Sequence, residues 1–324
     1  MRYNRLGRSG LVVSSVCLGG NSWGAAGLRQ WGAFDEAESR VFFQQALDSG
    51  INYFDTADTY NAGESERIMG ATLLKMARRE DVVISSKVGI PLSKKPNDGG
   101  LGRKHLMASI DACLQRLGTD YVDIYHIHRL DGVTPLEETL DAFTDMVRMG
   151  KVRYLGGSTM PAYRFAQITT LALDKGYARP IAMQNLYNLV NREEEVEMIP
   201  LCGEAGVSLV PYSPLARGLL AGTRSREGGG MTERAANDSV ARSSSVRDSD
   251  FDTVDRVVAM AAEKGVKPSQ LSLAWLMHKP GVAAPVIGVT KLEHITDAVA
   301  ATEIALTKVE IAALEDGYVF RAAR

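Results

Sequence analysis

The sequence is poor in cysteine and histidine and has no large excess of charge of either sign. Its 324 residues include 3 cysteines and 5 histidines, and 37 basic against 39 acidic residues leave a formal net charge of −2. Sparse cysteines without a CxxC pair predict free thiols in a reducing compartment rather than a disulfide framework. The balanced charge predicts no broad basic face, so we do not expect a nucleic acid as a partner.

Long apolar runs are also missing. No segment is apolar enough over the length needed to cross a bilayer, and residues 1–20 contain no charged leader followed by an apolar block. We therefore expect a cytoplasmic protein that does not enter a membrane. A G-x-G-x-x-G fingerprint opening a helix is absent as well, which removes the usual signature of a Rossmann dinucleotide site.

What the chain does contain is a repeated unit of helix, glycine and strand. Most of its amphipathic segments end at a glycine, the usual left-handed helix stop, and a short run that is apolar on both faces often follows. In one unit the residues Ile110, Cys113, Leu114 and Leu117 form a helical stripe. Runs that are apolar on both faces are typical of buried parallel strands. We predict eight strands, at residues 15–19, 51–55, 82–87, 121–128, 152–157, 181–184, 207–211 and 284–288.

Eight such units predict an α/β fold, a (β/α)8 TIM barrel rather than an open doubly wound sheet. We expect a single domain over residues 1–324, with an N-terminal β-hairpin capping the barrel floor and extra C-terminal helices at 251–279 and 307–316. Residues 213–250 are rich in Gly, Ser and Arg. Their composition favours a surface loop, whereas their position after the seventh strand favours a lid over the site.

Polar side chains collect at the predicted C-terminal strand ends, where the active sites of barrels lie. In chain order these ends carry Asp55, Lys87, His128, Ser158, Gln184, Tyr212 and Gly288. Asp55 can neutralise Lys87, and the loop after Asp55 can fold Tyr60 over the barrel mouth. An ammonium beside a phenol favours the phenolate and makes the phenol a better proton donor, while His128 can donate a second hydrogen bond to the same oxygen. This set predicts a site that polarises a carbonyl.

Other interpretations of these residues stay open. His126 and His128, at i and i+2, could ligate a metal, although His126 is more simply a core residue and we predict no metal site. Lys87 could form a Schiff base. We interpret Asp58 as a structural loop carboxylate or helix cap, and Glu66 as an acidic residue at the positive end of a helix dipole.

Seven motifs occur in order along the chain: FDTADTY, SSKV, VDIYHIHR, GKVRYLGGS, MQNLYN, VPYSPLARGLLAG and PVIGVTKLEHI. Together they resemble the aldo-keto reductases over nearly the whole length, most closely the bacterial branch with the SPLARG loop. The resemblance implies a (β/α)8 barrel that binds NADPH and reduces an aldehyde or ketone. A non-catalytic subunit that senses NADPH for a partner is the alternative function.

The resemblance also implies roles for individual residues. Tyr60 would be the general acid, Lys87 would activate it, Asp55 would hold Lys87, and His128 would orient the carbonyl. Lys291 would favour NADPH over NADH, because an ammonium gains more from a phosphate than from a hydroxyl. The implied cofactor contacts are Ser158 and Gln184 for the nicotinamide carboxamide and Tyr212 for its ring. The resemblance also implies a pyrophosphate path along Ser213, Leu215, Arg217 and Gly218, and contacts to the adenosine 2′-phosphate from Gly288, Thr290, Lys291 and His294.

The small-molecule substrate itself is not specified by these motifs. Trp23 and Trp31 lie in the loop after the first predicted strand, together with Phe34. They either line an apolar substrate pocket beside Tyr60 and His128 or pack that loop onto the barrel, and both interpretations stay open.

Overall fold

Strands and helices alternate through residues 1–24, 34–224, 226 and 246–321, which a computed structural model describes. The strands are β1 (Tyr3–Arg5), β2 (Val12–Ser14), β3 (Cys17–Gly19), β4 (Tyr53–Asp55), β5 (Val83–Val88), β6 (Val122–Ile127), β7 (Val152–Ser158), β8 (Pro180–Gln184), β9 (Ser208–Leu209) and β10 (Val286–Ile287). The α-helices are α1 (Glu36–Asp48), α2 (Glu64–Met76), α3 (Arg103–Leu117), α4 (Leu136–Arg148), α5 (Ala162–Lys175), α6 (Met198–Ala205), α7 (Asp248–Lys264), α8 (Pro268–His278), α9 (Glu293–Ala301) and α10 (Lys308–Glu315). The eight predicted strands correspond to β3–β10.

Strands β3–β10 form one parallel sheet in the order β10-β3-β4-β5-β6-β7-β8-β9. On one side β10 pairs with β3. On its other side the Val286 N–H donates to the carbonyl of Pro211 (2.8 Å), and Tyr212 and Val286 form a parallel bridge just beyond β9. The sheet therefore closes on itself, which confirms the predicted (β/α)8 barrel.

The antiparallel hairpin β1–β2 covers the N-terminal end of this barrel. In its turn the Gly7 N–H donates to Ser208 Oγ and the Arg8 N–H to the carbonyl of Gly206, both at 2.8 Å. Leu6 is fully buried in an apolar cluster formed mainly by residues near the strand starts, among them Tyr53. These contacts confirm the predicted hairpin cap. They leave the opposite end of the barrel, where the strands end, open for an active site.

The extra helices also occur where the sequence places them. Helices α7 and α8 form the predicted pair before the last strand, and α10 is the predicted terminal helix. The predicted lid at 213–250 falls largely outside the described residues, since 225 and 227–245 are not among them. Among the helices that are described, none combines the length and the apolar character that a membrane span needs.

Helix α3 shows why these segments become helices that pack on the sheet. Its predicted stripe Ile110, Cys113, Leu114 and Leu117 is buried, with 0% to 9% of each residue exposed. The helix ends at Gly118, whose φ of +66° is the left-handed conformation that glycine adopts without a steric penalty. Local periodicity and a glycine stop therefore predicted both the buried face and the end of this helix.

Gly70 sets how closely α2 approaches α3. A Cβ at this position would lie 2.0 Å from the carbonyl oxygen of Leu117, which is backbone and has little freedom to move. We expect Gly70→Ala to lower the free energy of unfolding by about 1–3 kcal/mol, measured by urea denaturation. The control is Gly203→Ala in α6, where a Cβ meets nothing within 4 Å. That change should be neutral or stabilising by up to about 1 kcal/mol, and equal losses in both variants would contradict the tight approach.

Candidate active site

Lys87 lies near the C-terminal end of β5 with its ammonium fully buried. It donates three hydrogen bonds: to Asp55 Oδ2 (2.6 Å), to the carbonyl of Thr56 (2.7 Å) and to Tyr60 Oη (3.1 Å). An ammonium has three N–H donors, so its hydrogen-bonding capacity is used completely. The predicted contact between Lys87 and Tyr60 is therefore present without any movement of the chain.

The surroundings of Lys87 keep it charged. Burial by itself lowers the pKa of this lysine, but the negative charge of Asp55 and the interaction with Tyr60 outweigh burial and raise the pKa above its ordinary value. A Schiff base requires a neutral amine as nucleophile. This environment therefore disfavours the Schiff-base interpretation and favours a permanent cation beside the phenol.

Asp55 ends β4 and is buried, with 1% of the residue exposed. Its Oδ1 accepts hydrogen bonds from Ser85 Oγ (2.7 Å) and Gln184 Nε2 (3.0 Å), while Oδ2 accepts from Lys87. The carboxylate is thus paired with a cation and held by two neutral donors, the condition under which a buried charge is tolerated. The contact with Gln184 was not predicted; it commits the amide N–H₂ of that residue to Asp55.

Tyr60 and His128 complete the group of four. Tyr60 begins the turn Tyr60–Gly63, in which Asn61 and Ala62 have left-handed backbone conformations, and its ring lies 6.1 Å from the His128 ring, centroid to centroid, in an edge-on arrangement. The four side chains come from the loop after β4 and from the C-terminal ends of β4, β5 and β6. The structure therefore brings together all four residues that the sequence singled out for catalysis.

His128 is held in its neutral form. Burial, followed by the nearby charges of Lys87 and Arg129, lowers the pKa of His128 to about 2. The imidazole consequently keeps one N–H at any ordinary pH, and that N–H can donate to a carbonyl oxygen without a proton being transferred.

His126 has a different environment, although it lies two residues away on the same strand. It is fully buried, and its Nδ1–H donates to the carbonyl of Gly157 (3.1 Å). Burial is also the main cause that lowers the pKa of His126 to about 4. Across the described ranges, no group of three or more His, Cys, Asp or Glu side chains could hold a metal ion. These observations favour the core interpretation of His126 over a metal ligand.

The positions expected to contact a nicotinamide lie at the same rim. Ser158 at the end of β7 is in register with Gln184 at the end of β8, and each is 2% exposed. The hydroxyl of Thr159 donates to Tyr212 Oη (3.3 Å), and the Tyr212 N–H donates to the carbonyl of Asn185 (2.9 Å). Ser158 and Gln184 therefore end β7 and β8, and Tyr212 lies just beyond the next strand, β9.

The loop that follows Tyr212 has an unusual backbone. Ser213, Ala216, Arg217 and Gly218 have φ values of 51°, 47°, 57° and 92°, and Leu215 lies between them. Left-handed conformations are uncommon for residues other than glycine, and successive N–H groups in such conformations form concavities that bind anions. This geometry fits the expected pyrophosphate path along Ser213, Leu215, Arg217 and Gly218.

A second polar group surrounds the start of α9. Gly288 is exposed, and the Thr290 N–H donates to His294 Nδ1 (3.3 Å). The Lys291 side chain is 68% exposed, with its Nζ 3.8 Å from Glu293 Oε1, and such an exposed pair contributes little to stability. The Lys291 cation is thus available to an anionic ligand at little energetic cost.

The structure bears on the predicted role of Trp23 but not on that of Trp31. Trp23 is fully buried, and its ring packs against Phe34, Phe42 and Phe43 at centroid distances of 6.0, 5.7 and 5.1 Å. This contact favours the interpretation that Trp23 packs the loop onto the barrel. Trp31 lies outside the described residues.

The interpretations of Asp58 and Glu66 were incomplete. Asp58 is 1% exposed and caps no helix, since α2 begins after Gly63 without a side-chain cap. Glu66 is fully buried, accepting from Ser86 Oγ and Arg116 Nε, both at 2.5 Å. The periodicity of α2 contains a signal for Glu66, which shares the stripe of buried Met69 and Leu73 at i+3 and i+7. No local pattern marks Asp58.

Comparison with known proteins agrees with this geometry. The model of the aldo/keto reductase family matches residues 15–318. The chain is 40% identical to versiconal hemiacetal acetate reductase of Aspergillus parasiticus, over 99% of this chain and 98% of that protein. It is 39% identical to aldo-keto reductase AMT2 of Alternaria alternata, over 98% and 91%. These relatives are fungal, so the expected resemblance to a bacterial branch is not supported. From the fold, the site and this similarity over nearly the full length, we conclude that the chain belongs to the aldo/keto reductase family.

Proposed function

We propose that this protein uses NADPH to reduce an aldehyde or ketone to an alcohol, with Tyr60 as the proton donor. The observation that carries the proposal is the position of Lys87 Nζ, 2.6 Å from Asp55 and 3.1 Å from the hydroxyl of Tyr60, with His128 edge-on to the same phenol. The phenol can donate a proton to a developing alkoxide, and the neutral imidazole can donate a hydrogen bond to it. The permanent cation stabilises the phenolate that remains.

When bound, the nicotinamide supplies a hydride to the carbonyl carbon. Tyr60 Oη gives its proton to the carbonyl oxygen, and the phenolate left behind is stabilised by the Lys87 ammonium until it regains a proton from solvent. Asp55 keeps that ammonium charged and fixed in direction. The neutral His128 donates a hydrogen bond to the carbonyl oxygen, which orients the substrate and stabilises the charge that develops on oxygen.

The described residues fit a phosphate-bearing dinucleotide. The segment from Ser213 to Gly218, left-handed at Ser213 and from Ala216 to Gly218, is suited to the pyrophosphate. The cation of Lys291 beside Thr290 and His294 is suited to the 2′-phosphate of NADPH. Ser158 and Gln184 would hold the nicotinamide carboxamide, and Tyr212 would stack on its ring. Leu215 would line the pyrophosphate path, and Gly288 would lie with Lys291 around the 2′-phosphate.

We expect Lys291→Met to weaken NADPH binding by about 10- to 100-fold while leaving NADH binding unchanged, because only NADPH carries the phosphate that pairs with the ammonium. The measurement is fluorescence titration with both cofactors. The matched control is Lys175→Met, whose side chain is 57% exposed at the end of α5. Equal losses of affinity for NADPH and NADH would show that Lys291 contributes to cofactor binding without contacting the 2′-phosphate.

The reaction itself is tested by multiple-turnover oxidation of NADPH with a panel of carbonyl compounds. The panel contains aromatic aldehydes, quinones, aldoses, phosphosugars and ketosteroid-like ketones. It also contains hydroxyaldehydes that cyclise, since the Aspergillus relative is named for a hemiacetal. Turnover with alcohol formation supports the proposal. NADPH binding without turnover of any compound would instead support a sensing subunit, and an adduct trapped by borohydride on Lys87 would support Schiff-base chemistry.

A further inference from the structure

Asp58 is a buried carboxyl group that the proposed mechanism does not use. It lies two residues before Tyr60, and neither of its oxygens has a partner in good hydrogen-bonding geometry within the described part of the chain. Its backbone N–H donates to the carbonyl of Lys87 (3.3 Å), which ties the residue to the strand that carries the lysine. A buried carboxylate without hydrogen bonds is costly, so its position calls for a neutral form or a nearby counter-charge.

The two cations that act on Asp58 are already engaged. Arg116 pairs with Glu66, which also accepts from Ser86, and the charge of Lys87 is paired with Asp55. An ionised Asp58 would therefore add a second carboxylate around a single guanidinium. Burial first, and then the charge of Glu66, raise the pKa of Asp58 to about 7, while Arg116, the Thr59 amide and Lys87 act in the opposite direction.

Among the residues that the structure describes, the remaining neighbours of this cluster on β6 and α3 provide no further positive charge. From β6 the hydroxyl of Tyr125 is buried and has no partner among the described residues, and from α3 the thiol of Cys113 lies against Glu66. Both groups are neutral at ordinary pH, since burial raises the pKa of each well above its usual value. The protonation state of Asp58 thus determines whether the charges of this cluster balance.

Arg116, which pairs with Glu66, also supports the turn that carries Tyr60. Asn61, Ala62 and Gly63 have φ values of 49°, 55° and 86°, three successive left-handed residues of which two are not glycine. A Cβ on Gly63 would lie 2.6 Å from Arg116 Cδ, so the arginine side chain packs directly against this turn. A backbone of this kind persists only when its surroundings hold it in place.

We propose that Asp58 is a positioning residue for Tyr60: while its carboxyl group is protonated, Arg116 stays paired with Glu66 and packed against the Tyr60 turn, and when Asp58 ionises that turn loosens. The proton passes to solvent, and the carboxylate then competes with Glu66 for Arg116, which weakens the support beneath Gly63. The catalytic consequence rests on the proposed reductase function, but the structural consequence does not.

The test compares wild type with Asp58→Asn, which keeps the shape and cannot ionise. Wild-type kcat for carbonyl reduction should fall on the order of 10-fold as pH rises through about 7, because a small displacement of a catalytic group lowers rates steeply. The Asn variant should show no such fall. Glu66→Gln should move the fall to lower pH, since it removes a charge that disfavours ionisation of Asp58. The matched control Asp174→Asn, 68% exposed in its side chain, should behave as wild type.

Thermal unfolding gives a readout that needs no activity. Because the folded-state pKa of Asp58 lies above its unfolded value, the folded protein holds a proton that the unfolded chain releases between about pH 4 and pH 7, and wild type loses stability over that range. The Tm of Asp58→Asn relative to wild type should therefore rise from pH 5 to pH 8. Superimposable pH–rate profiles together with a constant Tm difference would overturn the inference. If no carbonyl compound is reduced, the reductase proposal fails, and the Tm comparison still tests whether the fold is more stable while Asp58 is protonated.

Discussion

Tyr60→Phe is expected to lower kcat/KM for carbonyl reduction by about 100- to 10,000-fold, the range typical of losing a positioned general acid. The substitution removes one hydroxyl and keeps the ring that packs near Lys87, whose Nζ lies 4.6 Å from the ring centroid. NADPH affinity should therefore stay near the wild-type value. The rate is measured by NADPH absorbance with the best compound of the panel, and the affinity by fluorescence titration.

The control for this variant is Tyr163→Phe in α5, a tyrosine that is 65% exposed. It should keep wild-type kinetics, because most of this side chain is exposed and it is not one of the proposed site residues. Reductase rates within threefold of wild type in Tyr60→Phe would contradict Tyr60 as the proton donor. An increase in KM with an unchanged kcat would assign Tyr60 to substrate binding rather than to proton transfer.

Lys87→Met is expected to abolish measurable reduction and also to lower the free energy of unfolding by about 3–5 kcal/mol. The second effect arises because Asp55 is left as a buried carboxylate without its counter-ion. Ser85 and Gln184 still donate to Asp55 Oδ1, so we expect the loss near the lower end of that range. Urea denaturation at neutral pH measures it, and Lys75→Met, with a side chain 71% exposed, is the matched control.

A double-mutant cycle separates the structural and catalytic roles of this pair. Adding Asp55→Asn to Lys87→Met removes the unpaired charge, so most of the lost stability should return. Reduction should not return, because no cation then stands beside Tyr60. If the double variant is as unstable as Lys87→Met alone, the ion pair is not the cause of the instability.

Periodicity and glycine stops in the sequence were sufficient to predict the barrel. The stripe of α3, the stop at Gly118 and eight runs apolar on both faces each depend on residues that are neighbours along the chain. Because strand ends of a closed parallel sheet meet at one rim, order along the chain was also enough to bring Asp55, Lys87 and His128 together. Strand termini differ from the prediction by up to two residues, because hydrogen-bond registers and not hydropathy set where pairing ends.

Partner choice across the barrel was not predictable in the same way. The hydrogen bond of Gln184 to Asp55 joins residues 129 positions apart, and Asp58 was interpreted as an ordinary structural loop carboxylate. Burial and charge balance depend on which helices pack behind a loop, and only the contact between α2 and α3 puts Glu66 and Arg116 beneath the Tyr60 turn. Periodicity and motif order were therefore enough to predict the fold and the four residues proposed for catalysis. Which carboxyl groups are paired became known only from the folded structure, because pairing depends on distances in space.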